Sequence, residues 1–256
     1  MKKVVSWRVL ALFGLAVLGL ALRLYGLNWD QGNNFHPDER QILFRIMTLA
    51  WPNSVTQFFD PVNSPLNPHF FAYGSFPLYL LASLGNILSH FSPNLATLTG
   101  LTLLGRILSA IFDSGTILLT GWLGLLLAGG KRGGRYQGWA VALLAAALVT
   151  FTPLQLQLSH FYVVDTLLLF FVTLTVLACV ALVETDAPIR WSLVAGIGYG
   201  LAVATKFSAA PLIVPILVAV AMRWYKHELY SALITLLLAS SSAWLTFLIA
   251  MPYALL

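Results

Sequence analysis

Charged residues and cysteine are both scarce in this sequence. Only 9% of its 256 residues are charged and 59% are hydrophobic, whereas an average soluble domain is about 25% charged. This composition excludes a water-soluble globular protein. The single cysteine, Cys179, excludes a disulfide framework and a cysteine-based metal site. Basic residues outnumber acidic ones by 14 to 9, but they lie between apolar runs, which indicates membrane topology rather than a nucleic-acid partner.

The sequence also lacks the short motifs of nucleotide and hydrolase chemistry. It has no glycine-rich phosphate loop, no His-x-x-x-His pair and no Gly-x-Ser-x-Gly elbow. A nucleotide site is therefore not supported. No metal ligands are predicted either, although carboxylates outside the membrane could bind one divalent cation.

Long apolar runs are the dominant feature of the sequence. A helix needs about 20 apolar residues to cross roughly 30 Å of hydrocarbon. Five runs meet this length, at residues 7–27, 107–128, 138–158, 161–183 and 229–251. The first follows a basic start but precedes no small-x-small cleavage site, so we expect an anchored helix rather than a cleaved signal peptide.

A sixth apolar run, residues 191–222, is too long for one crossing and contains Pro211 and Pro215. As one helix it would place Lys206 near the bilayer centre, at a cost of roughly 2.5–3.5 kcal/mol or more. A tight hairpin places Lys206 at the turn instead. We therefore expect two short crossings with Lys206 between them.

Basic residues in the loops set the expected orientation. The clusters Lys131-Arg132-Arg135 and Arg223-Lys226, with Arg190, all fall on the side of the N-terminus if segment 76–91 lies along the membrane surface. The prediction is an all-α polytopic membrane protein. It has about seven transmembrane helices, a cytoplasmic N-terminus and a first external loop over residues 28–105 with juxtamembrane helices. Residues 1–256 form one transmembrane module, which we expect to be truncated at its C-terminus.

Acidic residues collect on the external side, where Asp38 and Glu39 are the closest pair. On a helix, neighbours point about 100° apart, so one carboxylate can act as a base while the other binds substrate or orients a partner. The alternative is a helix N-terminus whose dipole favours acidic residues.

A second polar group joins the third and fourth runs. Asp165 lies about one turn inside an apolar run, which makes it a functional candidate or, alternatively, a cap or a partner of Arg106. Taken alone, His160 is more often a loop hydrogen-bonder than a ligand, and Asp113 is more often a buried packing residue. Arg106 and Lys206 either snorkel to headgroups or hold an anion while a carboxylate moves a proton.

Five segments together resemble the GT-C glycosyltransferases, in the group of the protein O-mannosyltransferases and the lipid A aminoarabinose transferase. They are HPDE at 36–39, NPHFFAYGSFPLY at 67–79, GRILSA at 105–110, SHFYVVDT at 159–166 and, more weakly, GLAVATKF at 200–207. The resemblance covers the N-terminal catalytic part of such enzymes.

The resemblance implies inverting transfer of a sugar from a polyprenyl-phosphate donor to a protein, lipid or glycan acceptor. The reaction would take place on the non-cytoplasmic face of the bilayer, in a bacterial plasma membrane. By the same resemblance, catalytic and substrate-binding roles fall on a small set of residues. The expected catalytic residues are Asp38 as general base, Glu39 and Asp165; the expected substrate-binding residues are Lys206 and Arg106 at the donor phosphate, with His160, His36 and Tyr73.

Two other functions remain open from the sequence. A transporter would line a pathway with Asp165, Asp113 and Lys206, although transporters place such charges near the midplane and often show repeated halves. A non-catalytic partner subunit could use the same scaffold. The requirement for Asp38 in turnover, or only in folding, distinguishes an enzyme from a scaffold.

Overall fold

The computed structural model describes residues 6–129, 135–226 and 228–255, and every regular element in these ranges is helical. The basic N-terminal residues and Lys131-Arg132, used above for the orientation, lie outside the described ranges. The α-helices in chain order are α1 (Trp7–Leu24), α2 (Pro37–Ile46), α3 (Val55–Phe58), α4 (Phe76–Ser89), α5 (Leu98–Gly129), α6 (Arg135–Thr150), α7 (Pro153–Leu158), α8 (Val164–Glu184), α9 (Pro188–Thr205), α10 (Ile213–Lys226) and α11 (Leu229–Ala250). The predicted all-α fold class is confirmed.

Five helical segments are long and apolar enough to cross a membrane. They are Trp7–Leu24, Leu98–Gly129, Val164–Glu184, Phe207–Lys226 and Leu229–Ala250. Helix α4 has only 14 residues, or about 21 Å, which is shorter than the hydrocarbon core. The total of seven crossings stays a prediction.

The predicted break at Lys206 is confirmed. Helix α9 ends at Thr205, Lys206 has an extended backbone, and a 3₁₀ segment over Phe207–Leu212 leads into α10. Pro211 lies inside the 3₁₀ segment, where its missing N–H interrupts regular α-helical hydrogen bonding.

Two predicted helix bounds are wrong. The run at 138–158 is not one helix, because α6 ends at Thr150 and Pro153 starts the separate helix α7. Helix α5 begins nine residues before the predicted residue 107, after Thr97 accepts a hydrogen bond from the backbone N–H of Gly100. Arg106 therefore lies inside α5 rather than at its entrance.

Small residues allow α9 and α11 to pack closely. A Cβ atom on Gly196 would lie 2.2 Å from the carbonyl oxygen of Ala239, and one on Gly200 would lie 2.5 Å from that of Ala243. Close backbone approach over small residues is typical of helix contacts in membranes. This packing holds the α9 end that carries Lys206 against the last helix.

The external loop is attached to the end of α11. The Tyr253 hydroxyl donates to the carbonyl oxygen of Phe58 at 2.8 Å and accepts from the Ser64 hydroxyl at 2.6 Å. Tyr253 and Ser64 are both buried. The first external loop is therefore fixed near its middle by the segment that follows the last helix.

Candidate active site

A buried arginine cluster organises the external side of the bundle. Arg106 of α5 donates to both oxygens of Glu39 at 2.8 and 2.7 Å and to both oxygens of Asp30 at 2.9 and 2.7 Å. Its remaining donor reaches the carbonyl oxygen of Leu27 at 2.6 Å. The five guanidinium N–H groups are thereby all used. The hydrogen bonds from Arg106 lower the pKa of the Asp30 carboxyl.

This cluster changes the interpretation of two predicted site residues. Arg106 and Glu39 are both fully buried, and Glu39 also accepts the backbone N–H of Tyr162 at 2.8 Å. All five Arg106 N–H groups have protein partners, which does not favour a contact with phosphate, and its role as a donor-phosphate binder stays a prediction. Both Glu39 oxygens are bound by Arg106 and one also by the Tyr162 N–H, so its catalytic role stays a prediction that these contacts do not favour. Asp30, the second carboxylate partner of Arg106, was not among the predicted site residues.

Asp38 lies next to Glu39 but faces a different environment. Pro37 and the first turn of α2 carry both carboxylates, and consecutive helical residues point about 100° apart. With Glu39 held inside, the Asp38 side chain is left partly exposed beside the Tyr73 hydroxyl. Burial, then the adjacent Asp38 carboxylate and the charge of Asp165, raises the pKa of Tyr73 to about 12.

The loop that carries Tyr73 is joined directly to the end of α9. The backbone N–H of Gly74 donates to the carbonyl oxygen of Thr205 at 3.0 Å. A Cβ atom on Gly74 would lie 1.8 Å from the carbonyl oxygen of Ala204, so only glycine permits this approach. Tyr73 and Lys206 each adjoin one partner of this hydrogen bond.

Lys206 and Asp165 form an ion pair at this junction. The Lys206 ammonium lies 3.0 Å from Oδ1 of Asp165, and the two side chains are 33% and 40% exposed. Asp165 sits in the first turn of α8, because this helix begins at Val164, three residues after the start of the apolar run. Its predicted alternative partner, Arg106, is taken by Asp30 and Glu39.

Four of the predicted site residues therefore come together on the external side. Tyr73 of the external loop lies beside Asp38 of α2. Asp165, at the start of α8, lies beside Lys206, at the break after α9. The charge of Asp165 acts on Tyr73, which connects the two pairs. The result is a partly exposed group of two carboxylates, one ammonium and one phenol.

The two predicted histidines have different surroundings. His160 contacts two backbone carbonyl oxygens through its ring nitrogens, that of Leu156 at 2.6 Å and that of Tyr25 at 2.8 Å. The ring thereby links the end of α1 to α7, as the hydrogen-bonding interpretation expected, and the substrate contact of His160 stays a prediction. His36 packs on Phe161 with ring centroids 4.6 Å apart, two residues from Asp38.

Asp113 is a buried ion-pair residue, as the packing interpretation expected. It accepts a hydrogen bond from Arg23 of α1, and both side chains are buried. Arg23 also donates to the carbonyl oxygens of Gly19 and Thr150. Arg23 was missed, because its sequence position at the end of an apolar run is that of an ordinary snorkelling residue.

Within the described ranges, no group of three or more His, Cys, Asp or Glu side chains is arranged to hold a metal ion. Two of the external carboxylates, Asp30 and Glu39, are already bound to Arg106. The geometry therefore offers Asp38 and Asp165 as the carboxylates open to a ligand near the junction.

Comparisons with known proteins agree with this architecture. A family model described as dolichyl-phosphate-mannose-protein mannosyltransferase matches residues 132–247, a range that contains Asp165 and Lys206. The structure of the S. cerevisiae protein O-mannosyltransferase Pmt1-Pmt2 complex bound to the sugar donor is similar, with a TM-score of 0.67 at 16% sequence identity. That match covers 97% of this chain and 34% of that chain. No curated protein sequence matches the chain.

This chain thus spans about a third of the length of the yeast protein that it resembles. Its long apolar helices and the shared architecture make it an integral membrane protein. The resemblance that the sequence motifs predicted is confirmed at the level of the fold: the chain has the helical membrane fold seen in the yeast protein O-mannosyltransferase complex.

Proposed function

We propose that this chain is the catalytic membrane module of an inverting glycosyltransferase that uses a polyprenyl-phosphate-linked sugar. The main observation behind this proposal is the contact between the external loop and the break after α9. There a partly exposed carboxylate, Asp38, and a partly exposed ammonium, Lys206, flank Tyr73 and the Gly74–Thr205 hydrogen bond. Transfer from a phosphate leaving group needs a base for the acceptor and a cation for the phosphate.

The step divides these roles between the two residues. The acceptor hydroxyl oxygen attacks the anomeric carbon from the side opposite the phosphate, and its proton passes to Asp38. The new C–O bond forms as the bond between the anomeric carbon and the phosphate oxygen breaks, and the electron pair stays on that oxygen. Lys206 balances the charge that develops on the phosphate. Phosphate is a good leaving group, so the step needs no general acid.

The choice of donor rests on likeness to the matched family and to the yeast complex. The family description names a dolichyl-phosphate-mannose donor, and the yeast complex was solved with its sugar donor bound. We carry over the class, a sugar linked to a polyprenyl phosphate, with a protein, lipid or glycan hydroxyl as acceptor. The basic residues in the loops support a site on the non-cytoplasmic face, and we carry over a bacterial plasma membrane from the resemblance alone.

A transport function is less well supported by the same geometry. Asp113, the deepest acidic candidate, is closed off by Arg23, and Arg106 is closed off by Asp30 and Glu39. Neither side chain is open to line a pathway. The remaining open charges, on Asp38, Asp165 and Lys206, lie at one end of the helices rather than at their middle.

The first experiment identifies the lipid that the chain holds. Native mass spectrometry of the protein purified in mild detergent should detect a polyprenyl phosphate or a sugar-linked polyprenyl phosphate on the wild type. Lys206→Ala should lose it. Asp60→Asn is the control, because Asp60 is a partly exposed residue of the external loop whose carboxylate bonds only to Val62 and Asn63 of its own turn. Bulk phospholipid alone, equal in all three proteins, would contradict the proposal.

A further inference from the structure

The ion pair between Lys206 and Asp165 has a feature that the proposed reaction does not use. The cation expected to hold the donor phosphate already has a carboxylate 3.0 Å away, and the Lys206 and Asp165 side chains are 33% and 40% exposed. A partly exposed pair of this kind contributes little net stability. Its contact can therefore be exchanged for a phosphate at low cost.

The backbone around the pair is fixed, so the exchange involves side chains alone. The N–H of Lys206 is bonded to the carbonyl oxygen of Ala202, and the neighbouring Thr205 carbonyl accepts from Gly74. Asp165 is held in the first turn of α8. The ammonium moves on a flexible four-carbon stem, while the Asp165 carboxylate stays beside the position that the phosphate takes.

The two phosphates that visit the site differ in charge. The donor is a phosphodiester with one negative charge. The product is a phosphomonoester with about 1.5 to 2 negative charges at neutral pH, since its second pKa is near 6. A lone lysine would bind the product more tightly than the donor, and the product would inhibit the enzyme. A fixed carboxylate next to the lysine repels the product more strongly than the donor.

On the basis of the proposed function, we infer that Asp165 is a competing counterion for Lys206 that weakens product binding and promotes release of the polyprenyl phosphate. Asp165 takes back the ammonium when the phosphate leaves, which restores the pair seen in the structure. In this role Asp165 acts through Lys206 and does not touch the reacting atoms. The assignment replaces the catalytic role that the sequence resemblance implied for Asp165.

The test is a binding measurement that does not require turnover. Farnesyl phosphate serves as the monoester probe and methyl farnesyl phosphate as the diester probe, titrated into the full chain in detergent. Asp165→Asn should bind the monoester about five- to tenfold more tightly than the wild type does, a range expected for the loss of one partly screened charge. Its affinity for the diester should rise by a smaller factor. Asp165→Glu keeps the charge and should retain the weak binding of the wild type. Asp60→Asn should change neither value.

A double variant separates this role from a structural one. If Asp165 acts through Lys206, the gain in monoester affinity caused by Asp165→Asn must disappear when Lys206→Ala is also present. The double variant therefore tests the coupling between the two residues. In a transfer assay, added farnesyl phosphate should inhibit Asp165→Asn at lower concentration than the wild type. Unchanged or weaker monoester binding by Asp165→Asn would overturn the inference.

The outcomes also distinguish this inference from the function on which it rests. If Lys206→Ala binds both probes as well as the wild type, the donor-phosphate site fails and the counterion role fails with it. If Lys206→Ala loses binding but Asp165→Asn gains none, the donor site stands and only the counterion role is wrong. Equal gains for the monoester and the diester would also overturn the inference, because the proposed discrimination depends on the extra charge.

Discussion

The two ion clusters on the external side of the bundle differ in burial and in the share of their hydrogen-bonding groups that already have partners. The Arg106 cluster is fully buried, and all five guanidinium donors are bound to Asp30, Glu39 and Leu27. The Lys206–Asp165 pair has one contact, and both side chains are partly exposed. Both clusters join segments that are distant in sequence, but only the second leaves hydrogen-bonding capacity for a ligand.

This difference separates structural charges from chemical ones in a protein with few charges of either kind. Removal of one partner from a buried cluster whose donors are all bound costs several kcal/mol of folding stability, because the other charge stays buried without compensation. Removal of one partner from a partly exposed pair costs little stability, because water replaces the partner. The open charges are therefore the ones free to bind substrate, and the closed cluster positions Asp38 through its neighbour Glu39.

The largest expected effect is on stability, from Arg106→Leu. Removal of the guanidinium leaves Asp30 and Glu39 buried without a partner, at a cost of about 3–5 kcal/mol. Thermal unfolding in detergent should show a large loss for Arg106→Leu and, for Lys206→Leu, a loss within about 1 kcal/mol. Equal losses in the two variants would remove the distinction between the clusters.

The next effect is on catalysis, from Asp38→Asn. The amide keeps the shape of the side chain but cannot accept the acceptor proton, so transfer should fall about a hundredfold or more with little change in stability. Glu39→Gln is the matched neighbour, and it should lower the unfolding temperature because it breaks the contact with Arg106. Wild-type turnover by Asp38→Asn would exclude the general-base role.

A smaller effect is expected where the external loop meets α9. In Gly74→Ala the new Cβ would lie 1.8 Å from the Ala204 carbonyl oxygen, so the loop must move away from Lys206. A shift of this size should lower transfer about tenfold. Gly14→Ala is the control, because nothing lies within 4 Å of its Cβ position. Full activity of Gly74→Ala would show that the junction is not needed.

The smallest effect concerns Tyr73 and alkaline pH. The pKa of Tyr73 is raised from 10.0 to about 12 in the folded protein, so folding favours the neutral phenol. This contribution to stability is complete below pH 10 and is lost as the pH rises from about 10 to 12. Tyr73→Phe should therefore lose less stability between pH 9 and pH 11.5 than the wild type does. Tyr225→Phe, at an exposed position, should behave like the wild type.

Sequence patterns predicted the helices and their breaks better than they predicted which side chains form ion pairs. The break at Lys206 follows from an apolar run too long for one crossing, and Pro153 offered an equally local signal for the break between α6 and α7. By contrast, the bonds from Arg106 to Glu39 and from Arg23 to Asp113 join residues 67 and 90 positions apart. Residue type alone does not say which of several carboxylates an arginine will meet.

The contact between Gly74 and Thr205 shows the same limit. The sequence offers a glycine in a loop and a lysine in a hairpin, and nothing in either segment indicates that they meet. The predicted grouping of Asp38, Asp165, Lys206 and Tyr73 came from family resemblance, which carries information on distant contacts. That same resemblance also placed Arg106 and His160 at the substrate, where the geometry has since given them other partners.

The Tyr253 contact has a mechanical consequence for the whole molecule. Tyr253 ties the segment after α11 to Ser64 and Phe58 of the first external loop. If α11 is pulled out of a bilayer by its C-terminal end, this attachment must break before the helix can leave. The resistance to the pull therefore comes partly from a loop almost 200 residues earlier in the chain, and the first rupture under force should free the loop and the helix together.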